Sequence, residues 1–270
     1  MNVLEVDITD HIAVVRLNRP ESRNALNPEL VVRLAETWAR LGSDEAVRVI
    51  VLTGTGESTF CAGFDLASFI PLITGTRPPA DRWDEAVQAG GGLALAGRAT
   101  LRDYDPGPPL IVAANGHAVA GGFEMLLAGD IRIVARGARL GLSEVRLGLI
   151  PAMGGTARLA RQLSPALAAE MLLTGNPVAA ERALAAGFLN QIVPVAELMT
   201  SAMACARVIA ANAPLAVRAA REVMRRSAEL TEREALDLDN AHCVALARTQ
   251  DAVEGPRAFL EKRPPIFRGC

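Results

Sequence analysis

An acidic residue of this 270-residue chain lies just inside an apolar segment, two positions after a pair of glycines. Residues 110–130 begin with an apolar run that predicts a buried strand, and they restart through Gly121-Gly122 into a predicted helix containing Glu124. Glycine lets a ligand or another backbone approach closely, because it has no Cβ. The first amides of a helix have no intrahelical partner, and the helix dipole favours negative charge beside them. The pattern predicts an anion hole next to a carboxylate, with tight glycine packing and a structural ion pair of Glu124 as alternatives.

The elements around this stretch alternate between strands and helices. The predicted strands are 3–9, 11–17, 47–52, 110–114, 131–135, 139–141 and 190–193. A helix is expected to begin at Asn27-Pro28, with asparagine as cap and proline in the first turn, and to end at Gly42. Two or three units of paired strands followed by a helix precede residue 195, so an α/β domain is predicted.

The second half of the chain is increasingly helical. Shorter helices are predicted at 94–104, 157–163, 167–172 and 179–186, and amphipathic ones at 202–211, 214–227, 231–249 and 251–261. We therefore divide the chain into an α/β core, residues 1–196, and a helical C-terminal region, residues 197–270. This alanine- and leucine-rich region needs a surface to bury against, either its own core or a neighbouring subunit. Residues 71–92, rich in proline, glycine and charge, are expected to form a mobile loop.

The composition excludes several functional classes. A net charge of −2 offers no basic surface typical of nucleic-acid binding. Every apolar run is interrupted before it could span a bilayer, and acids stand at the N-terminus where a secretory signal would carry bases. The four cysteines and three histidines lie far apart, so we expect no metal site, and reduced thiols in a cytoplasmic protein.

Four segments in order carry a resemblance to a known family. They are Phe60-Cys61-Ala62-Gly63-Phe64-Asp65-Leu66, the Asn115–Leu126 stretch around Gly121-Gly122-Phe123-Glu124, Ser143–Pro151 beginning Ser143-Glu144-Val145-Arg146, and the C-terminal Asp251–Arg263. Together they resemble the crotonase superfamily, and within it the enoyl-CoA hydratase/isomerase family, over essentially the whole chain. The phrases Gly-Phe-Glu and Glu-Gly-Pro-Arg-Ala-Phe are most similar to the carnitinyl-CoA dehydratase branch.

The resemblance implies a fold and a substrate class. Members of the family wind repeated ββα units into a spiral of two sheets, and a C-terminal helical region builds a homotrimer or a dimer of trimers, the hexamer. The active site takes an acyl-CoA thioester. No bound cofactor is implied, because CoA arrives as part of the substrate.

The resemblance also assigns the catalytic groups. It places the two oxyanion-hole amides at Phe64 and Gly121, where they would stabilise the developing enolate oxygen. Glu124 and Glu144 match the two carboxyl positions that move protons between water and the α-carbon, with Glu124 as leading base and Glu144 as leading acid, or the reverse. The alternative for Glu144 is a salt bridge to Arg146 or Arg158.

Retention of both carboxyl groups favours hydration, because family isomerases often keep only the one at the Glu144 position. The predicted function is therefore that of an enoyl-CoA hydratase, a lyase that adds water reversibly across the 2,3 double bond in fatty acid or related acyl-CoA metabolism. The alternatives are an enoyl-CoA isomerase, a carnitinyl-CoA dehydratase, and a non-catalytic acyl-CoA-binding subunit. The retained glutamates argue against the last.

The remaining assignments concern the CoA moiety. The resemblance implies binding of substrate or CoA by Ser22, Asn24, Ala62, Asp65, Leu66, Gly122, Phe259 and Lys262. Ser22 and Asn24 would contribute main-chain groups, whereas Phe259 and Lys262 would come from the same or an adjacent subunit. A solvated charged terminus is the alternative for Lys262 and Arg263.

Two residues depart from the family pattern, and one histidine needs an account. Ala120 replaces the first of three usual glycines, which is tolerable if its φ angle is negative. Phe64 replaces a frequent alanine, and its bulk is expected to reshape the CoA entrance. His117 is expected to be a packed neutral side chain.

Overall fold

Strands of two sheets alternate along the chain in the computed structural model, which describes residues 2–270. In spatial order the larger sheet contains β1 (Leu4–Thr9), β2 (Ile12–Leu17), β3 (Val49–Gly54), β5 (Leu110–Ala114), β7 (Ile131–Ala135) and β10 (Gln191–Val193). The smaller sheet contains β4 (Thr59–Cys61), β6 (His117–Val119), β8 (Arg139–Gly141) and β9 (Val178–Ala179).

The pairing of these strands produces a repeated unit. In the larger sheet β1 and β2 are antiparallel, and all other neighbours are parallel. In the smaller sheet β8 and β9 are antiparallel and the others parallel. Along the chain β3-β4, β5-β6 and β7-β8 each place one strand in each sheet and then lead into helical structure. The predicted α/β fold of repeated ββα units is therefore confirmed.

Twelve α-helices lie within residues 2–270. They are α1 (Pro28–Ser43), α2 (Phe69–Ile73), α3 (Arg82–Ala89), α4 (Leu93–Ala99), α5 (Gly121–Ala128), α6 (Gly155–Gln162), α7 (Pro165–Thr174), α8 (Ala180–Ala185), α9 (Leu198–Ala211), α10 (Pro214–Arg226), α11 (Glu232–Leu246) and α12 (Gln250–Leu260). The last four form the helical C-terminal region, and the division at 196/197 falls between β10 and α9.

The central strands β3 and β5 of the larger sheet are buried on both faces, as is typical of parallel strands. On β3, Ile50 and Leu52 belong to the main core, whereas the alternating Val49 and Val51 face a second cluster that includes residues of α9. Along α9 the buried residues facing this sheet are mostly alanine, at positions 202, 206 and 210. Because alanine is small, the helix axis can lie close to the sheet.

Helix α1 forms as its sequence predicts. The side chain of Asn27 accepts a hydrogen bond from the Leu30 N–H, and Pro28 occupies the first turn, where a missing N–H costs nothing. The buried face of α1 includes Trp38, whose Nε1 donates to the Ala99 carbonyl at 2.8 Å. This bond attaches α1 to the end of α4.

The expectation of a mobile loop at residues 71–92 is wrong, because this segment contains α3. Asp81 caps that helix by accepting from the N–H groups of Trp83 and Asp84. The buried Asp84 carboxylate then pairs with Arg77. The proline and glycine content of this segment indicated a loop, whereas the Asp81 cap and the Arg77–Asp84 ion pair stabilise a short helix.

The sequence analysis also missed the short strands β4, β6 and β9. Two or three residues are too few to show the period-2 alternation that identifies a strand. Within residues 2–270 no single helix is long and apolar enough to cross a bilayer, although the bent pair Val195–Ala211 and Pro214–Arg226 meets the length and composition test when taken together.

Candidate active site

Helix α5 begins with an N–H group that has no acceptor. All eight of its residues are buried, and its first intrahelical bond runs from the Glu124 N–H to the Ala120 carbonyl at 2.9 Å. Within residues 2–270 the Gly121 N–H donates to no group. A free amide at a buried helix N-terminus is suited to hold an oxygen that becomes negative.

The backbone turns sharply at Ala120, immediately before this amide. Its φ angle is +51°, so the condition under which an alanine is tolerated here, a negative φ, is not met. Ala120 donates its own N–H to the Gly141 carbonyl at 2.9 Å, as part of the small sheet, while its carbonyl already belongs to α5. The strand-to-helix reversal requires the left-handed conformation, which is strained for any residue with a Cβ.

The second candidate donor follows another left-handed residue, Gly63, whose φ is +91°. Phe64 sits beside Leu26 in a parallel bridge, closed by a bond from the Leu26 N–H to the Gly63 carbonyl and one from the Asp65 N–H to the Leu26 carbonyl. The Phe64 N–H itself has no acceptor within residues 2–270. The pairing thus uses the flanking groups and leaves this amide free.

The two donor segments are in contact. A Cβ atom built on Gly63 would lie 3.1 Å from the Gly121 nitrogen, and one built on Gly121 would lie 3.2 Å from Cε2 of Phe64. The Phe64 ring also stacks on Phe69, with 4.7 Å between centroids. The bulky side chain at 64 is therefore packed between the start of α5 and the start of α2.

Glu124 lies one turn into α5 and is almost completely buried. Burial raises the pKa of its carboxyl to about 7, and the nearby charge of Glu144 contributes to the rise. The main-chain amides of Gly155 and Met153 act in the opposite direction, as does the Arg158 guanidinium. A carboxyl group near neutrality can both accept and release a proton at physiological pH.

Gly155 contacts Glu124 and was not among the predicted site residues. It is the first residue of α6, and its N–H donates to Oε1 of Glu124 at 2.9 Å. A Cβ at this position would lie 2.9 Å from the same oxygen. The signal was available, because Gly154-Gly155 before a helix repeats the Gly121-Gly122 pattern.

Glu144 begins a short 3-10 helix, Glu144–Leu147. Burial raises the pKa of its carboxyl, and Oε2 is buried without a hydrogen-bond partner within residues 2–270. The proposed ion pairs are not formed. Arg146 instead contacts the Thr174 carbonyl and Asn176, and Arg158 donates to the carbonyls of Leu101 and Arg102. An unpaired buried carboxyl oxygen beside Glu124 is available to a water or a substrate.

The residues assigned to CoA at 22–24 form a tight loop. Asn24 is fully buried, and its side chain bonds to the Arg19 N–H and to the carbonyls of Thr55 and Thr59. Ser22 Oγ lies 3.4 Å from a guanidinium nitrogen of Arg19. The Asn24 N–H also donates to the Arg19 carbonyl at 2.8 Å, so the side chain and the N–H of Asn24 are both engaged within the protein, and its assignment to CoA stays a prediction.

The segment 62–66 combines fixed and free groups. Asp65 accepts from the N–H groups of Ala67 and Ser68 and lies 3.3 Å from Arg19, and these bonds hold its pKa below the usual value despite partial burial. Its carboxylate is therefore committed to the loop. Leu66 is 58 % exposed and available to a ligand. The Ala62 N–H donates to the Arg23 carbonyl.

Gly122 has a packing role. A Cβ built there would lie only 2.2 Å from the Cys61 carbonyl oxygen, so α5 approaches β4 at this point. This contact explains the glycine without a ligand. Cys61 itself is buried, and burial raises the pKa of its thiol to about 12, so it is not a nucleophile.

The C-terminal candidates lie on the surface of this single chain. Phe259 is 83 % exposed near the end of α12, and Lys262 is exposed with a φ of +54°. Arg263 is not a free solvated charge, because it pairs with Glu254 and Glu261. Phe259 and Lys262 are therefore accessible to a ligand, and their assignment to a CoA site of the same or an adjacent subunit stays a prediction.

His117 is exposed, so the expectation of a packed side chain is wrong. Its Nδ1 accepts a hydrogen bond from the Arg139 N–H at 3.0 Å. Within residues 2–270, no three His, Cys, Asp or Glu side chains form a group that could hold a metal ion.

The chain is similar over most of its length to known proteins. The family model described as "Enoyl-CoA hydratase/isomerase" matches residues 7–269. The carnitinyl-CoA dehydratase of Proteus mirabilis (strain HI4320) is 39% identical over 257 residues, which cover 94% of this chain and 93% of that protein. The enoyl-CoA hydratase EchA19 of Mycobacterium tuberculosis is 36% identical over 265 residues, covering 97% and 95%.

The fold is shared with a solved structure over the full length. The crystal structure of an enoyl-CoA hydratase from Bacillus anthracis aligns with a TM-score of 0.89 and 33% sequence identity, covering 99% of this chain and 100% of that one. This likeness includes the C-terminal helices.

Proposed function

This chain belongs to the enoyl-CoA hydratase/isomerase family, and we propose that it adds water reversibly across the 2,3 double bond of an enoyl-CoA thioester. The observation that carries the proposal is the combination of the buried carboxyl group of Glu124 and the partly buried one of Glu144 with two main-chain amides, at Phe64 and Gly121, that have no acceptor within residues 2–270. Hydration of a conjugated thioester requires both kinds of group.

In the proposed reaction the thioester oxygen accepts hydrogen bonds from the N–H groups of Phe64 and Gly121. Water held between the two carboxyl groups attacks the β-carbon, and its proton passes to Glu124. The electrons of the double bond move to the thioester oxygen as an enolate, and Glu144 then donates a proton to the α-carbon. The product carries the water oxygen on the β-carbon and one new hydrogen on the α-carbon.

Hydrogen bonding supports this division of roles between the carboxyl groups. The Gly155 N–H and the N-terminus of α6 favour the ionised form of Glu124 and oppose the rise of its pKa, which supports a base. Oε2 of Glu144 has no hydrogen-bond partner within residues 2–270, which supports a proton donor. Return of the proton from Glu124 to Glu144 through the product or solvent completes the cycle.

The experiment that tests the proposal is loss of the enoyl-thioester absorbance with a panel of 2-enoyl-CoA substrates. Glu124→Gln and Glu144→Gln are each expected to slow hydration by roughly 10²–10⁴-fold. Exposed Glu229→Gln, whose side chain is 73% accessible, serves as a matched control. Near-wild-type hydration by both active-site variants would exclude the two-carboxyl mechanism.

The second candidate is the dehydratase direction with a carnitine-derived substrate, favoured by the 39% identity to a carnitinyl-CoA dehydratase. The same groups would serve, because dehydration is the reverse of hydration. Crotonobetainyl-CoA in the panel separates the two. A 3-enoyl-CoA tests the isomerase alternative, and binding of CoA thioesters without turnover of any of them would indicate a non-catalytic subunit.

We also propose a homotrimer, alone or as a dimer of trimers. Support comes from large apolar side chains exposed on α12 of a single chain, notably Val253, Phe259 and Leu260. Sedimentation equilibrium measures the assembly directly. A monomer at micromolar concentration would contradict the proposal.

A further inference from the structure

A cleft lined by arginines lies at the end of α5 opposite the candidate active site. It is formed by the C-terminal end of α5, by α6, by α10 and by residues 102–107, and its volume is about 970 Å³. We call it the arginine cleft. Since α5 has eight residues, the cleft and the Gly121 amide are separated by about 12 Å of helix.

The arginine cleft has a large excess of positive charge. Eight arginines and four carboxylates line it, although the whole chain has a net charge of −2. All four carboxylates are already engaged. Asp105 and Asp130 pair with Arg221 and Arg225, and the remaining two pair with arginines at the rim.

Three of the other arginines have only neutral partners. Arg132 donates to carbonyls at the end of α5 and to Gln162. Arg158 donates to the carbonyls of Leu101 and Arg102, and Arg218 donates to the carbonyl of Val47. Within residues 2–270 none of these three guanidinium groups forms a salt bridge, although Asp130 acts on Arg132, and Glu124, Asp103 and Asp105 act on Arg158, through charge interactions at longer range.

Two buried arginine atoms on the walls of the arginine cleft lack any partner. Nη1 of Arg158 and Nε of Arg218 have no hydrogen-bond acceptor within residues 2–270. Burial lowers the pKa of Arg132 to about 10; the neighbouring charge of Asp130 opposes this shift and that of Arg158 adds to it. The unused donors and the surplus of positive charge make the arginine cleft suited to an anion.

We propose that the arginine cleft binds a small phosphorylated anion. Guanidinium groups bind phosphate oxygens through paired N–H donors, and a multiply charged anion would neutralise several arginines at once. Two sources of phosphate fit this chemistry, a free phosphorylated metabolite and the nucleotide end of a CoA molecule. The site is separate from the oxyanion-hole end of α5 in either case.

The test is calorimetric titration of the full-length protein with inorganic pyrophosphate at constant ionic strength. Arg218→Gln and Arg225→Gln are expected to weaken binding by about ten-fold or more, and Arg218→Lys to recover part of it. Arg233→Gln is the matched control, because this arginine is 86% accessible on α11, outside the arginine cleft. Circular dichroism verifies that each variant is folded.

Repeating the titration in saturating CoA identifies the source. Unchanged pyrophosphate affinity supports a free metabolite, and competition that is lost in Arg218→Gln supports the CoA nucleotide. The proposal would be overturned if the Arg218→Gln, Arg225→Gln and Arg233→Gln variants bound pyrophosphate with equal affinity. It would also be overturned if the measured heat of binding depended on ionic strength alone. Hydration activity is measured in parallel. Because Arg218, Arg225 and Arg233 do not contact the proposed catalytic groups, loss or retention of hydration activity tests the proposed function and not the anion site.

Discussion

Gly63 and Ala120 meet face to face, so closely that a Cβ atom on Gly63 would lie 2.7 Å from the Cβ of Ala120. Each of these residues directly precedes a candidate oxyanion donor, and each has a positive φ angle, +91° and +51°. A positive φ thus precedes each candidate donor, and the contact between Gly63 and Ala120 holds the Phe64 and Gly121 segments against each other. A positive φ favours glycine, which occupies position 63, whereas position 120 is occupied by alanine.

Ala120→Gly is expected to stabilise the protein. Glycine adopts a positive φ without strain, so the free energy of unfolding should rise by about 1 kcal/mol after the entropy cost of glycine in the unfolded chain is subtracted. Urea denaturation measures the change. Hydration should be retained within a few-fold, because the backbone can keep its conformation. A less stable Ala120→Gly would show that the alanine methyl group packs favourably enough to outweigh its strain.

Gly63→Ala is expected to have the opposite effect. The added methyl group would meet the Ala120 methyl at 2.7 Å and would also require a strained backbone, so stability should fall by about 2 kcal/mol or more. Hydration should fall by about 10²–10³-fold, because the Phe64 amide would move away from the thioester oxygen. Gly137→Ala, at another positive φ but with nothing within 4 Å of an added Cβ, separates backbone strain from the contact.

The pH dependence of hydration should report Glu124. If Glu124 is the base, kcat/KM should rise as pH increases through an apparent pKa near 7, because the carboxylate form must be present. The profile is measured with a 2-enoyl-CoA between pH 5 and pH 9. A value near 4.5 instead would mean that the carboxyl group is solvated rather than buried.

Stability should depend on pH with a definite sign. The pKa of Glu124 is raised in the folded protein from 4.5 to about 7, so the folded state binds more protons than the unfolded state between these values. Below pH 4.5 Glu124 therefore contributes about 3 kcal/mol to the free energy of unfolding, and this contribution is lost as pH rises to 7. Glu124→Gln should be more stable than wild type at pH 8, with a smaller difference at pH 5. Thermal unfolding at both pH values checks this.

Asp84→Asn should loosen the segment 69–92. The Asp84 carboxylate receives two hydrogen bonds from Arg77 and one from the Ala80 N–H, and its pKa is held below the usual value by Arg77. Faster amide hydrogen exchange in this segment is expected, with little change in β3 or α9. The exposed Asp103→Asn, which makes one long ion pair, is the control. Equal exchange in both variants would mean that other contacts hold the segment.

Glu254→Gln should release the C-terminal tail. The carboxylate of Glu254 binds Arg263, Arg257 and the Ile266 N–H, and Arg263 holds its pKa well below the ordinary range. Because the folded pKa is depressed, this contribution is present at neutral pH and is lost only as pH falls through the acidic range. Faster exchange of residues 262–270 at pH 7 is expected. Glu261→Gln, which removes only an exposed pair with Arg263, provides the comparison.

Much of the fold follows from patterns that are local in the sequence. The cap at Asn27-Pro28, the β-branched run of β3 and the amphipathic C-terminal helices all depend on residues that are close along the chain, so periodicity and capping chemistry identify them. The helix α3 was missed although its Asp81 cap and the Arg77–Asp84 pair are local, because the segment is rich in proline and glycine. The three-residue strand β4 was missed because it forms only beside β6. No window of a few residues contains that information.

The sequence by itself determined the family and the α/β class, and it predicted the site residues, because Gly121-Gly122-Phe123-Glu124 and Glu144 each lie in a short contiguous motif. The tertiary structure alone decided the positive φ of Ala120, the hydrogen bond from Gly155 to Glu124, the unpaired oxygen of Glu144 and the charge of the arginine cleft. The physical reason is distance along the chain. Gly155 and Glu124 are 31 positions apart, and a carboxyl pKa depends on whichever groups the fold places beside it, not on its neighbours in sequence.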